Sequence, residues 1–326
     1  MRSTGRRVAA QLGATCAAIA VTFGTAAFAI LVAVTWTTTL PAGALTDLSA
    51  SPDAALTVRW TPHAATYAAD VRTSTAKISD ALAASGASQS FSTAVIAESG
   101  FLTLPGTAPD GPTPQVAVIA SADLQKHSTI VAGSWPTAPS AATAAVGTAD
   151  APIPVAVPVT TAGAMHVRLG QTLTLRPATG APVVVRIVGL VRRAPQNPAF
   201  WSFDPFGPSG TMSLGSFTTF DPFIADPSLL ASGVLRGAAA TMVLTPSLGP
   251  HETGAAAFSQ LSGRIDTFRR ALDSDAAHPF TVSGHLPSLL SGLARRVAAA
   301  QARLLAAALL LAVVGAATLS AVAGLL

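Results

Sequence analysis

Six histidines, fifteen carboxylates and one cysteine are the side chains of this 326-residue chain that could carry metal or covalent chemistry. His63, His127, His166, His251, His278 and His285 lie far apart, whereas a zinc site needs several ligands converging at set spacing. His251-Glu252 opens like a helical zinc-protease pattern, but residue 255 is Ala, so the second ligand one turn on is missing. Gly207-Pro208-Ser209-Gly210 has the wrong spacing for a nucleophile elbow. No G-x-x-x-x-G-K-[ST] run occurs, so the chain is not itself an ATPase by that motif. The carboxylates stand singly, apart from Asp273 and Asp275 in a helix-ending turn. Two distant ones could still converge as a glycosidase pair, which spacing along the chain does not decide. Cys16 sits inside an apolar run, where packing in a span suits it; Leu12-Gly13-Ala14-Thr15 before it fits a lipoprotein signal poorly. A single cysteine also allows no intrachain disulfide. The reading is of a chain that is not an enzyme and uses no metal or cofactor.

The candidate for recognition is aromatic. Residues 195–226 hold six of the thirteen Phe residues, many Pro, and the sequence Phe-Asp-Pro-Phe twice, at 203–206 and 220–223. Asp-Pro favours a turn, so each copy reads as an aromatic-flanked corner. Trp201, Phe203, Phe206, Phe220 and Phe223 form either an apolar recognition surface or the filling of a small β core.

These residues are positioned by a central region expected to be α+β. Residues 55–60 read as a strand and 63–84 as a helix, with Tyr67, Val71, Ile78 and Leu82 near one face and Gly86 as its stop. Residues 90–104 and 115–120 read as strands around a loop at 105–114, and 130–136 (IVAGSWP) as a turn. The prolines of 151–159 suggest an edge strand. Residues 172–176 and 183–191 form a hairpin, 241–245 a last strand, and 254–272 a helix. Helices on one face of a mixed sheet are the expected arrangement.

Charge is confined to the middle. None falls between Arg7 and Asp47, or after Arg303, and the net +4 comes from Arg2, Arg6, Arg7 and Arg303. The central basic residues are scattered, not gathered into the face that nucleic acid needs, so no nucleic-acid partner is expected. Residues 8–36 are long enough to span a bilayer, against about 7–15 residues for a secretory signal core. Ala27-Phe28-Ala29 imitates a cleavage site, and a secreted enzyme beginning near residue 30 is the reading that it would support. Arg2, Arg6 and Arg7 suit a cytoplasmic N-terminus at residues 1–7, and Trp36 the outer interface. A helix over 286–326 would be about 60 Å long against a hydrocarbon core of about 30 Å. Residues 286–300 therefore read as a stalk and 301–326 as a returning span, with 37–285 extracytoplasmic.

The order of these features resembles the FtsX-like, or MacB-like, permeases of ABC transporters, in their actinobacterial style. The residues that carry it are the basic start and span, IVAGSWP, MHVRLGQTLTL running into VVVRIVGLVRRAPQNPAFW, then TTFDPFIADPSLL, and the arginine-bearing stalk. Arginine and alanine are heavily used, with Lys77 and Lys126 the sole lysines. The resemblance implies a periplasmic-core-like outer domain, a separate cytoplasmic ATPase as partner, a multi-pass place in the plasma membrane, and pairing with a second permease copy. Such permeases continue into further spans, whereas this sequence ends at Leu326 within its second. A fragment, a truncated product or half of a split permease is the expectation. The alternative is a membrane-anchored extracellular binding or sensor domain without an ATPase.

Overall fold

A computed structural model describes residues 2–104, 112–138, 146–194, 198–204, 206, 209–231, 235, 237–249, 252–274 and 279–323. His251, Asp275, His278, most of the loop expected at 105–114 and the last three residues of the expected 301–326 span lie outside these. The chain divides into two compact units. One comprises Met1–Asp47, Leu248–Gln260 and Leu290–Leu326; the other comprises Leu48–Ser247 and Leu261–Leu289.

The larger unit is built on one mixed sheet. Its strands are β1 (Leu56–Trp60), β2 (Phe91–Ser99), β3 (Leu102–Thr103), β4 (Thr113–Ala120), β5 (Ser128–Gly133), β6 (Ile153–Pro158), β7 (Thr172–Pro177), β8 (Val183–Arg193), β9 (Thr211–Leu214), β10 (Phe217–Ala225), β11 (Gly237–Pro246) and β12 (Thr281–Ser283). Their order is β12-β1-β11-β2-β4-β3-β7-β8-β6-β10-β9, with β5 on β8. A further pairing of β4 with β10 closes six of them, β4-β3-β7-β8-β6-β10, into a ring. The expected layered sheet is thus a small barrel with a four-strand extension.

The barrel closes because successive side chains alternate between faces. Val116, Val118, Ile153, Val155, Val157, Leu175, Val185, Ile187 and Phe223 come from five strands of the ring and are completely buried in one cluster. Each such side chain contributes about 1.5–3 kcal/mol when withdrawn from water. The Pro-bearing β6 is not the edge strand that its prolines suggest. It pairs in parallel with β8 along its length, but with β10 at Ile224↔Ala156 alone. That nearly unpaired side gives prolines, which lack an N–H, their place inside a closed ring.

The first four residues of IVAGSWP are also corrected, from turn to the bulged end of a strand, β5, which stops at Gly133. β5 pairs antiparallel with β8, with a register shift between Ile130 and Ala132. Gly133 has φ +78°, and a Cβ on it would lie 2.1 Å from the Val188 carbonyl oxygen. A Cβ on its partner Gly189 would meet the Ser134 carbonyl oxygen at 2.3 Å. Two glycines let the strands cross closely there.

The helices are α1 (Arg2–Val34), α2 (Leu40–Ala50), α3 (Tyr67–Ala84), α4 (Val159–Ala164), α5 (Pro227–Ala231), α6 (Ala255–Asp273) and α7 (Leu286–Ala323). A π-helical turn, Thr35–Thr39, joins α1 to α2, which carries Pro41 and Gly43 within it. Among the described residues, Leu286–Thr318 is the one helical segment long and apolar enough to cross a membrane; Ile19–Val34 is a shorter apolar helix. The expected first span at 8–36 thus has less apolar length than the second. Within the smaller unit, a Cβ on Gly315 of α7 would touch Thr25 of α1 at 3.3 Å, and Arg296 lies 3.6 Å from Asp47.

Candidate functional site

Arg192 and Arg193 end β8, and the pleat turns one outward and the other inward. Arg192 is exposed, whereas Arg193 follows the buried face of Val191. Its guanidinium donates to both Asp204 Oδ2 and, at 2.7 Å, Asp221 Oδ1. These are the two aspartates of the repeated Phe-Asp-Pro-Phe. Their side chains are 1% and 2% exposed, so the pair faces the interior rather than a space for substrate.

The two copies reach Arg193 by different local structure. Asp204 follows a short 3-10 helix, Pro198–Phe203, and accepts from the Phe206 N–H at 3.0 Å. The second copy is not a corner. It lies within β10, where pairing with β4 shifts register between Phe220 and Phe223. Pro222 has no N–H for the ladder, so the strand bulges there. Thr160 donates to Asp221 Oδ2 at 3.2 Å, and the Asp221 N–H donates to Gly210 at 2.8 Å.

Burial dominates the electrostatics. It pushes the Asp221 carboxyl up to about 6 against the pull of Arg193, with the Asp204 charge adding to the rise. Burial raises Asp204 as well, opposed by Arg193 and by a hydrogen bond between the two carboxyls. Glu98 of β2, paired with Arg59 at 3.0 Å, is raised by burial first and by the charge of Asp204 in addition. One guanidinium for two buried carboxyls favours a state that keeps a proton.

An aromatic cap adjoins the cluster. The Arg193 guanidinium lies over Trp201, 4.7 Å from the ring centre. The Trp201 indole donates to the His127 carbonyl at 3.3 Å, and the His127 ring stacks on Phe200 at 3.7 Å. Of the five aromatics singled out in the sequence, Trp201 and Phe203 pack together in this cap at 5.7 Å and are half-buried. Phe206 and Phe220 are buried, and Phe223 is part of the barrel core. Trp36 is half-buried in the π-helical turn and Arg303 is exposed on α7; the side chains of Arg2, Arg6 and Arg7 lie outside what is described. Among the described histidines, His63 pairs with Asp70 at 2.8 Å, and His127 belongs to the cap.

A second feature of the same unit is a groove of about 790 Å³ between the β2–β3 corner, the β7–β8 turn and the start of β11. Phe101 stands at it 51% exposed, while Leu102 and Leu235 are buried. Tyr67 packs beneath the start of β11, donating to the Ala239 carbonyl at 2.8 Å, and its hydroxyl is pushed up to about 12 by burial. Neither the ionic cluster nor the groove was singled out in the sequence. The one visible signal was the doubled Phe-Asp-Pro-Phe beside Arg192-Arg193.

No family model matches the chain, and no curated protein matches it. Among solved structures, it is similar to a domain of a Porphyromonas gingivalis protein assigned as a permease. The identity is 11% and the TM-score 0.30, over 72% of this chain and 91% of that one. At that depth the likeness decides neither fold nor function.

Proposed function

We propose that this chain is a membrane-spanning permease portion of an ABC transporter of the FtsX/MacB type. It relays conformational change from a separate cytoplasmic ATPase to an extracytoplasmic sheet unit. The observation that supports this reading is the change of character along α7. Leu286, Leu290, Leu293 and Val297 are at most 6% exposed, whereas Leu305, Leu309, Leu310 and Val313 of the same helix are 51–69% exposed. Exposed leucines at that density are satisfied by lipid hydrocarbon, not by water. Such a helix can carry movement to the unit that holds its first residues, provided the ATPase binds two states differently. The Gly315–Thr25 approach supports α1 as a second membrane helix beside it, because small residues let spans pack closely. The sequence resemblance supplies the ATPase, the plasma membrane, the extracytoplasmic side and the second permease copy.

A membrane-anchored binding domain without an ATPase is the second reading, and the groove favours it. Affinity isolation of the tagged chain from solubilised host membranes separates the two. The permease reading expects an ABC ATPase in comparable amount, whose hydrolysis rate changes when the chain is added back. Recovery of the chain alone, at every detergent tried, removes the permease reading.

A further inference from the structure

We propose that the groove beside Phe101 is a binding site for an uncharged acylglycerol-type molecule, with an apolar body and one hydrogen-bonding head. Its volume, about 790 Å³, falls in the range of small-molecule sites. No described residue that lines it is charged. A charged ligand would be stripped of water there without a counter-charge, which the environment opposes.

The polar groups of the lining decide the head. Ser99 is spent internally: its hydroxyl donates to the Gly100 carbonyl at 2.8 Å and accepts from the Val118 N–H at 2.9 Å. Thr103 donates to the Arg176 carbonyl at 3.2 Å. The half-buried Gln115 amide has no hydrogen-bond partner among the described residues. It offers one acceptor and two donors, which match an ester or a hydroxyl. Phe101, more than half exposed, then covers the apolar body.

The fold argues against a peptide. A peptide brings an amide at every residue and is best received by an open strand edge. At the groove, β3 is taken on both sides, by β4 at Leu102↔Val116 and by β7 at Leu102↔Pro177. The site stands whether or not an ATPase is coupled to the chain, so the test uses neither ATPase nor nucleotide.

The test is photolabelling of the full chain in phosphatidylcholine nanodiscs. The probes are a diazirine-bearing monoacylglycerol, the same acyl chain as a headless alkane, and a neutral apolar peptide with the same group. Mass spectrometry of the wild type should place the glyceride label on residues 99–103 and 177–183. Ala238→Trp and Thr179→Trp, which plug the groove from opposite walls, should each lower that label at least fivefold. Gln115→Leu should lower the glyceride label roughly tenfold and leave the alkane label unchanged, as expected for one lost hydrogen bond. Far-UV circular dichroism keeps a misfolded variant from being counted, and two plugs guard against the loss of either. Label confined to α1 and α7, groove label indifferent to both plugs, or stronger groove labelling by the peptide would each overturn the assignment.

Discussion

Arg193 sets a single positive charge against two carboxyls that water hardly reaches. The sign of the pH dependence follows from Asp221. Its folded pKa of about 6 lies above the ordinary value of 3.8, so the fold favours its protonated form. The stability gained is fully present below about pH 3.8 and is lost as pH rises through about 6. Thermal unfolding of the full chain in detergent should therefore show a midpoint that falls between pH 4 and pH 7. Asp221→Asn cannot ionise and should flatten that fall. Arg193→Ala should steepen it, costing about 3–5 kcal/mol where both carboxyls are ionised and much less at pH 4. Parallel profiles for all three proteins would contradict the shared-proton description. The sequence displayed the two aspartates and the arginine openly. Their convergence stayed hidden because one aspartate sits in a turn and the other on a bulge, and neither conformation is set by its neighbours alone.

At the scale of elements, what could be read was what local periodicity determines. The helix expected at 63–84 appears as a 3-10 turn, Ala64–Thr66, and α3, with Ile78 and Leu82 buried and Gly86 at φ +72° beyond its end. The β7–β8 hairpin forms with Leu175 opposite Val183. Barrel closure was not legible, because it rests on two parallel pairings, β6–β8 and β4–β10, between segments distant in sequence. Proline and glycine then misled, since Pro154 sits within a closed ring and Gly133 inside a strand. Gly237 shows how close the fit of remote elements is. A Cβ there would lie 2.1 Å from the Tyr67 ring, so the ring and its hydrogen bond to Ala239 must shift. Gly237→Ala should cost about 1–3 kcal/mol of stability. Tyr67→Phe alone should cost about 1 kcal/mol. Tyr67→Leu should relieve part of the glycine penalty, a non-additivity that a double-mutant cycle by denaturant unfolding measures. Strict additivity would place the constraint elsewhere.

The whole molecule combines a nearly neutral sheet unit with apolar helical ends, and its net positive charge comes from four arginines at those ends. That asymmetry was fully visible in the sequence, because it is composition and needs no fold. It is also the ground on which the proposed transmembrane arrangement rests, through Arg2, Arg6 and Arg7: arginines resist transfer across the bilayer and favour the cytoplasmic side. The most direct measurement is the sidedness of single cysteines in intact cells. In a Cys16→Ser background, Thr179→Cys reports the sheet unit and Ser3→Cys the N-terminus, both read with a membrane-impermeant maleimide. The permease account predicts that residue 179 is labelled on intact cells and that residue 3 is labelled only after permeabilisation. Labelling of both positions only after permeabilisation, or of both without it, would contradict it.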